Sequence, residues 1–342
     1  MKTAPRAPWN VLFVGMGPLG RIILTDYVAR SLGSVAGIVD TDPRLSGQRA
    51  RDVVPGAGDL TVQPSIESAL ARTDPQSLTA AVVATSSDLA QCVPTFRELL
   101  GRGMTVVSTC EELLWPWLRH AAAAEELDQL ARARGGRLVG TGVNPGFLMD
   151  TLPVALTAVA RSVRRVRVER YQDASTRRVP FQKKIGAALT DAEFEARVAA
   201  GTLRHVGLGE SMHFIAHAMG LSIARWNETI APVRAPRALS SALGSIPAGG
   251  ISGVRQTSHA FDPSGQEVIT LEFQAAIGQD SPRDRVIIEG APGDPVIDST
   301  IAGAVQGDIA TSAITLNAIA SLRQCPPGLH TMATMPLTRF VR

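Results

Sequence analysis

The sequence predicts an α/β protein, with a Rossmann-type doubly wound parallel sheet and a second α+β domain built on a mixed or antiparallel sheet. Three observations carry this. Short aliphatic runs alternate with helical stretches up to about residue 147, a glycine-rich turn joins the first run to the first helix, and beyond residue 147 the apolar pattern changes to period two.

The aliphatic runs are Val11–Val14, Val35–Val39, Ala80–Ala84, Thr105–Ser108 and Leu138–Gly140, separated by Ala/Leu-rich segments such as Pro94–Leu100 and Ala121–Ala133. Continuous apolar strands alternating with helices belong to parallel sheets covered on both faces. In the second part Val163–Tyr171, Gly253–Phe261, Glu267–Phe273 and Arg285–Glu289 alternate as half-buried strands do. Helical stretches at Asp191–Ala200 and Gly209–Leu221 interrupt them, and Gly/Pro-rich loops at Ser245–Gly253 and Gly290–Pro295 separate strands. Ile301–Leu322 is Ala/Ile-rich at helical spacing and is expected to return to the first domain. The expected domains are therefore 1–147 joined by 301–342, and 148–300.

A chain of 342 residues suits two domains. Apolar residues at 45% and charged residues at 19% exclude disordered and fibrous classes. A net charge of +3 is trivial over this length, and only 4% of residues are aromatic, so no nucleic-acid partner is expected. No apolar stretch approaches the ~18 residues that span a bilayer. The opening MKTAPRAPWNVLFVGMG places basic residues before an apolar run too short for a signal peptide. Cys92, Cys110 and Cys325 are an odd number with no CxxC pair, which fits reduced thiols in the cytoplasm better than a disulfide framework or a cysteine zinc site.

VLFVGMGPLGRII sets Gly15, Gly17 and Gly20 in GxGxxG spacing after a strand and at the start of a helix. The first glycine allows the tight turn, the second lets backbone approach a pyrophosphate, and the third lets helix and strand pack closely. The helix N-terminus offers unpaired N–H groups to the phosphates, with Pro18, Leu19 and Arg21 in the same turn. Asp40 lies twenty residues past Gly20, where a carboxylate accepts from adenosine ribose hydroxyls and favours NAD. Arg44 is within reach of a 2′-phosphate, so NADP or NAD, or both, are expected.

Ligands in open α/β sheets sit beyond the carboxyl ends of the strands. Thr85, Ser86 and Ser87 follow one strand, Thr109, Cys110, Glu111 and Glu112 the next, and Thr141, Gly142 and Asn144 the one after. These are candidates for the nicotinamide-ribose end of the cofactor, although Ser86 or Ser87 can equally cap a helix.

With these residues in place, the chain resembles the 2,4-diaminopentanoate dehydrogenase family, which includes the native amine dehydrogenases and has a dihydrodipicolinate-reductase-like architecture. The resemblance rests on GMGPLGR (Gly15–Arg21), STCEEL (Ser108–Leu113), GTGVNPGFLMD (Gly140–Asp150), QKKIGAALT (Gln182–Thr190), HVGLGES (His205–Ser211) and PPGLHTM (Pro326–Met332). It implies reversible reductive amination, in which ketone, ammonia and NAD(P)H give amine, water and NAD(P)+. It also implies a homodimer formed through the second domain's sheet, so that 148–300 serves both substrate binding and dimerisation. The His-His…Lys…Asp-Ala-Pro-Ser-Gly-Thr stretch of the biosynthetic dihydrodipicolinate reductases has no counterpart, which favours a small-molecule ketone or amine as substrate.

The resemblance places the catalytic glutamate on Glu111, with Glu112 as the alternate. A carboxylate in an enclosed site can hold an ammonium and take a proton from it, and burial raises its pKa toward the working range. The bland alternative is that both are first-turn acidic residues without chemistry. Phe147, Met149, Phe181 and Gln182 are the substrate-pocket candidates, with Trp115 and His205 behind them. Lys183, Lys184 or Arg178 would meet a substrate carboxylate.

Glu210, His213 and His217 can share one helix face, but no glutamate follows the first histidine as in HExxH, and no metal is expected. Arg161, Arg164, Arg165, Arg167 and Arg170, interleaved with valines, read as the solvent face of a strand. No Tyr-x-x-x-Lys pair, GxSxG or P-loop is present. The competing functions are an imine reductase of amino-acid metabolism, separated by its indifference to ammonia, and a non-catalytic dinucleotide sensor.

Overall fold

The aliphatic runs become strands because small and β-branched apolar residues pack well on a sheet buried on both faces. The computed structural model describes residues 8–342 apart from 72, 75, 76 and 178. Two units emerge, one formed by the chain up to Phe147 together with Gln306–Arg342, the other by Leu148–Val305.

The first unit begins β1 (Trp9–Val14), α1 (Pro18–Ala29), β2 (Gly33–Val39), α2 (Ala50–Val53), β3 (Val62–Gln63), α3 (Ile66–Leu70) and β4 (Ala80–Val83). It continues through α4 (Leu89–Gly101), β5 (Thr105–Ser108), α5 (Ala121–Arg134) and β6 (Arg137–Gly140). Helix α4 starts before the Pro94 at which the sequence pattern placed it, because Asp88 caps it, Oδ1 accepting from Ala90 N at 2.8 Å. Helix α5 stops at Gly135, whose φ of +76° suits glycine. Leu12, Val83, Phe96, Leu99, Val106, Leu127 and Leu138 are fully buried in one cluster, each worth about 1.5–3 kcal/mol against exposure.

The second unit contains α6 (Thr151–Leu156), β7 (Arg165–Asp173), α7 (Val179–Lys184), α8 (Asp191–Ala199), α9 (Leu208–Met219), β8 (Arg225–Arg234), β9 (Leu239–Ser241) and β10 (Gly244–Ile246). Then follow β11 (Ile251–Phe261), β12 (Glu267–Ala276), β13 (Arg283–Glu289) and β14 (Ile297–Ala302). Its six-stranded sheet has the order β14-β13-β7-β12-β11-β8 and is mixed: only β7 and β12 pair in parallel. Strand β8 was not expected from the sequence. It is an edge strand, half exposed and carrying Pro232, which an edge tolerates.

Arg170 departs from the expected solvent face. Side chains alternate along β7, so Arg170 shares the face of Val166 and Val168 and is only 2% exposed. Its Nη1 donates to Asp284 Oδ1 at 2.6 Å and its Nη2 to Val305 O at 3.0 Å. Gln172 Nε2 donates to the same carbonyl, and Val305 N donates to Asp284 Oδ2 at 2.7 Å. Burial draws the Arg170 guanidinium below its ordinary pKa while Asp284 opposes that.

The return to the first unit comes later than residue 301. Ile301 belongs to β14, the chain turns at Gly303 with φ +81°, and α10 (Gly307–Leu322) opens under a Gln306 cap. Helix α10 packs on α1, with Ser312 Oγ donating to the Asp26 carboxylate and Arg30 Nη2 donating to Asn317 Oδ1 at 2.7 Å. Finally β15 (Gly328–His330) pairs with β6, completing a wholly parallel seven-stranded sheet of order β15-β6-β5-β4-β1-β2-β3. Among the described residues no helix is long and apolar enough to cross a membrane.

Candidate active site

Winding of the parallel sheet reverses between β1 and β4, since the chain leaves β1 toward β2 and β3 and later fills the other side. Ligands bind in such a crevice at the carboxyl ends. Beyond those ends lie Gly15–Gly17, Thr85–Ser87, Thr109–Glu112 and Thr141–Asn144, on the neighbouring strands β1, β4, β5 and β6.

The three glycines differ in what surrounds them. Gly15 has φ +95°, and a Cβ there would lie 2.5 Å from Ala84 O; a Cβ on Gly20 would lie 1.9 Å from Gly15 O. Both positions therefore need glycine to pack the turn. A Cβ on Gly17 would meet nothing within 4 Å. Gly17 is the N-cap of α1 with no side-chain cap bond, and no acidic residue stands in the first turn. An open backbone at an uncapped helix N-terminus is a cradle for a phosphate. Pro18 and Leu19 form the first turn of that helix, and Arg21 ties it down, Nε donating to Met16 O at 3.0 Å.

Asp40 follows β2, its Oδ2 accepting from Met16 N at 2.5 Å and its Oδ1 from Asp42 N at 2.8 Å. The carboxylate is thus fixed against the glycine turn. Arg44 is exposed and grips Asp42, Nη2 to Oδ2 at 2.7 Å and Nε to Oδ1 at 3.0 Å. That hydrogen-bonded guanidinium holds the Asp42 carboxyl down at about 2.

In the loop after β4, Ser86 Oγ accepts from Asp88 N at 3.1 Å and Ser87 O accepts from Glu112 N at 3.3 Å. The cap of α4 is Asp88, which the sequence reading did not single out. Thr85 Oγ1 sits 3.6 Å from Cys92 Sγ. Thr109 N donates to Val83 O at 3.0 Å, and Cys110 is buried with its thiol donating to Ser87 O at 3.3 Å. Cys110 therefore supports the loop from beneath. After β6, Thr141 Oγ1 and both amide atoms of Asn144 are buried and have no hydrogen-bond partner among the described residues. Buried polar groups are normally satisfied, so these donors and acceptors suit a polar ligand.

Glu111 and Glu112 open a 3-10 turn after β5 and have different surroundings. Glu112 Oε2 accepts from Leu89 N at 2.9 Å and faces His120 Nε2 at 2.8 Å. Its carboxylate is spent on the start of α4. Glu111 is half-buried with one carboxylate oxygen shielded from solvent. His120 is the partner that sequence reasoning missed; no spacing rule marks it. Asp88, Glu112 and His120 bring ligand-type atoms within 4.8 Å of one another, but Asp88 Oδ2 already accepts from Gln91 Nε2 at 3.0 Å. Glu210, His213 and His217 form no such group among the described residues; His213 Nδ1 lies 2.8 Å from Gly209 O.

Phe147 closes the first unit, half-buried, and the Trp115 and Trp117 rings lie 4.8 Å apart, tilted at 57°. The other pocket candidates belong to the second unit. Met149 is fully buried, and Phe181 lies 4.3 Å under the Arg177 guanidinium. Gln182 is also buried, its Nε2 donating to the carbonyls of Ala174, Ser175 and Arg177 at 3.0–3.2 Å. That amide nitrogen holds the turn after β7, leaving only Oε1 for a pocket. His205 stacks on Phe273 at 4.5 Å, Lys183 and Lys184 are exposed, and Arg178 lies outside the described residues.

The fold and the glycine turn define a dinucleotide-binding dehydrogenase. Residues 147–342 match the family model described as the 2,4-diaminopentanoate dehydrogenase C-terminal domain. The chain is 25% identical over 340 residues to the 2,4-diaminopentanoate dehydrogenase of Acetoanaerobium sticklandii, covering 97% of this chain and 94% of that one. Among solved structures, the amine dehydrogenase of Mycobacterium smegmatis superimposes with a TM-score of 0.79 at 21% identity, over 98% of both chains. The WlbA dehydrogenase of Bordetella pertussis, solved with NADH and UDP-GlcNAcA, gives 0.52 at 14% identity over 94% of this chain and 90% of that one. This chain belongs to the 2,4-diaminopentanoate dehydrogenase family.

Proposed function

We propose that the protein is an amine dehydrogenase that interconverts an amine with a ketone and ammonia, with Glu111 as the group that moves the proton. A bound nicotinamide supplies or takes up the two electrons as hydride. Gly15, Gly17 and the α1 N-terminus would hold its phosphates, Asp40 the adenosine ribose, and Thr85–Ser87, Thr109 and Asn144 the nicotinamide end. The open cradle at Gly17 and the unsatisfied Asn144 amide support that assignment. Arg44 is already neutralised by Asp42, and Asp40 repels a 2′-phosphate, which favours NAD over NADP.

The single observation that carries the role of Glu111 is the commitment of its neighbour. Glu112 accepts from Leu89 N and meets His120 at the start of α4, whereas Glu111 opens the same turn half-buried, with one carboxylate oxygen shielded from solvent. A half-buried carboxylate binds an ammonium by charge, and its basic oxygen then accepts the proton an amine nitrogen must lose. Glu112 is a positioning residue. Phe147, half-buried at the end of the first unit, would supply apolar wall to exclude water that would hydrolyse an imine.

The family resemblance supports a homodimer through the six-stranded sheet, and three free buried thiols support a cytoplasmic location.

A ketone panel with ammonium and either NADH or NADPH tests the reading. Glu111→Gln should lower turnover by about 10²–10⁴ while dinucleotide binding stays near wild type, and Glu112→Gln should mainly lower stability. Full activity in Glu111→Gln, or oxidation of NADH with ketone in the absence of ammonium, would overturn it.

A further inference from the structure

The amino ends of β4, β5 and β6 frame a cavity of about 360 Å³, at the end of the parallel sheet opposite the glycine turn. That volume lies within the range of small-molecule sites, about 300–1,000 Å³. Arg102, Arg137 and Arg323 line it, and no acidic side chain does so among the described residues. Arg137 opens β6 and is held in place, Nε donating to Cys325 O at 2.5 Å and Nη1 to Gly135 O at 3.4 Å, while Nη2 takes part in neither bond. Arg102 Nη2 donates to Glu98 Oε1 at 3.0 Å, in a solvated pair of the kind that binds weakly. Arg323 follows α10, and its guanidinium makes no hydrogen bond or ion pair among the described residues.

A helix end explains part of this. Arg102 and Arg323 follow the last residues of α4 and α10, where a positive charge suits the terminal carbonyls. It does not explain Arg137, which stands on a strand, nor Thr105. Thr105 is the first residue of β5, is only 8% exposed and lines the same cavity, yet its hydroxyl makes no hydrogen bond among the described residues. Buried hydroxyls are normally satisfied, so this one calls for a partner that the fold does not supply. Three like charges around one space also repel one another until an anion enters.

We propose that this cavity is a second ligand site, which binds a small oligophosphate anion.

The donor set selects that class. Each guanidinium presents a planar fork of N–H groups that matches phosphate oxygens, and the threonine hydroxyl adds one more donor. A phosphate group brings about −1.5 to −2 charges, so two linked groups offset all three arginines. Their tetrahedral oxygens can meet donors arriving from α4, β5, β6 and α10, whereas a planar carboxylate meets fewer. A bound anion would also brace the first unit, because Arg137 already ties β6 to the turn that precedes β15.

Isothermal titration of the whole protein with inorganic pyrophosphate, beside thermal unfolding, tests the site without any turnover. Wild type should bind pyrophosphate, melt at a higher temperature in its presence, and lose affinity as salt is raised. Arg323→Ala should weaken binding about tenfold or more, and Thr105→Val about three- to tenfold, by loss of their hydrogen bonds. Both variants should melt as wild type does when no anion is added. Gly17→Ala, altered at the other end of the sheet, should bind pyrophosphate as wild type does, which separates this cavity from the dinucleotide cradle. Failure of wild type to bind, unchanged affinity in Arg323→Ala and Thr105→Val, loss of binding in Gly17→Ala, or equally tight binding of citrate would each overturn the proposal.

Discussion

Replacing Gly17 by alanine separates ligand binding from folding. A Cβ there meets nothing within 4 Å, and φ −62° with ψ −179° is open to any residue. Two small effects oppose each other in the fold. Alanine is a poorer N-cap than glycine by about 0.5–1 kcal/mol, and losing glycine's freedom in the unfolded chain returns about 0.4–1 kcal/mol. The melting temperature should stay within about 2 °C of wild type. Binding should not survive so well. The new methyl fills the approach to the α1 N-terminus and removes at least one charge-assisted N–H bond, worth about 1.5–3 kcal/mol, so Kd rises about 10- to 150-fold. Gly20→Ala makes the control, because its Cβ would lie 1.9 Å from Gly15 O; forcing the turn off the helix costs about 1–3 kcal/mol or more. Nicotinamide fluorescence titration beside thermal unfolding by circular dichroism reads both. If Gly17→Ala binds NADH as wild type does, or unfolds as early as Gly20→Ala, the glycines do not divide their tasks in this way.

Two further outcomes follow from the charged groups. Arg170→Met or Asp284→Leu alone strands a buried charge and should cost about 3–5 kcal/mol, whereas the double variant should recover much of that; guanidinium unfolding of all four proteins closes the cycle, and strictly additive costs would refute the coupling. For Asp42, a folded pKa depressed from 3.8 to about 2 means a stabilisation present above pH 3.8 and lost as pH falls through about 2. Arg44→Ala should move the Asp42 carboxyl titration, followed by NMR, back toward its ordinary range; an unmoved midpoint would mean that Arg44 is not its cause.

Much of the first unit was legible because its strands are uninterrupted aliphatic runs, and a parallel strand buried on both faces writes itself as such. Strand β15 escaped because three residues carry no periodicity, and β8 because an edge strand exposes half its residues and admits proline. Arg170 was misplaced by treating five arginines as one group: the parity that buries Val166 and Val168 buries it too. The glycine turn was readable since each glycine answers a local steric demand. The distinct roles of Glu111 and Glu112 were not, since they depend on Leu89 N and His120, which no pattern links to them.

The second unit is threaded into the first as an insertion, leaving at Phe147 and coming back at Gln306. Both ends of the chain therefore serve one sheet: α10 and β15, near the carboxyl terminus, lie beside α1 and β6. Cutting after Phe147 would strip the first unit of a helix and an edge strand, exposing the side of β6 that β15 protects. An autonomous first unit would have to be made by splicing, with a linker carrying the chain from Phe147 directly to Gln306. The grip of Arg170, Gln172 and Asp284 on Val305 marks where that splice must discard the last residue of the insert.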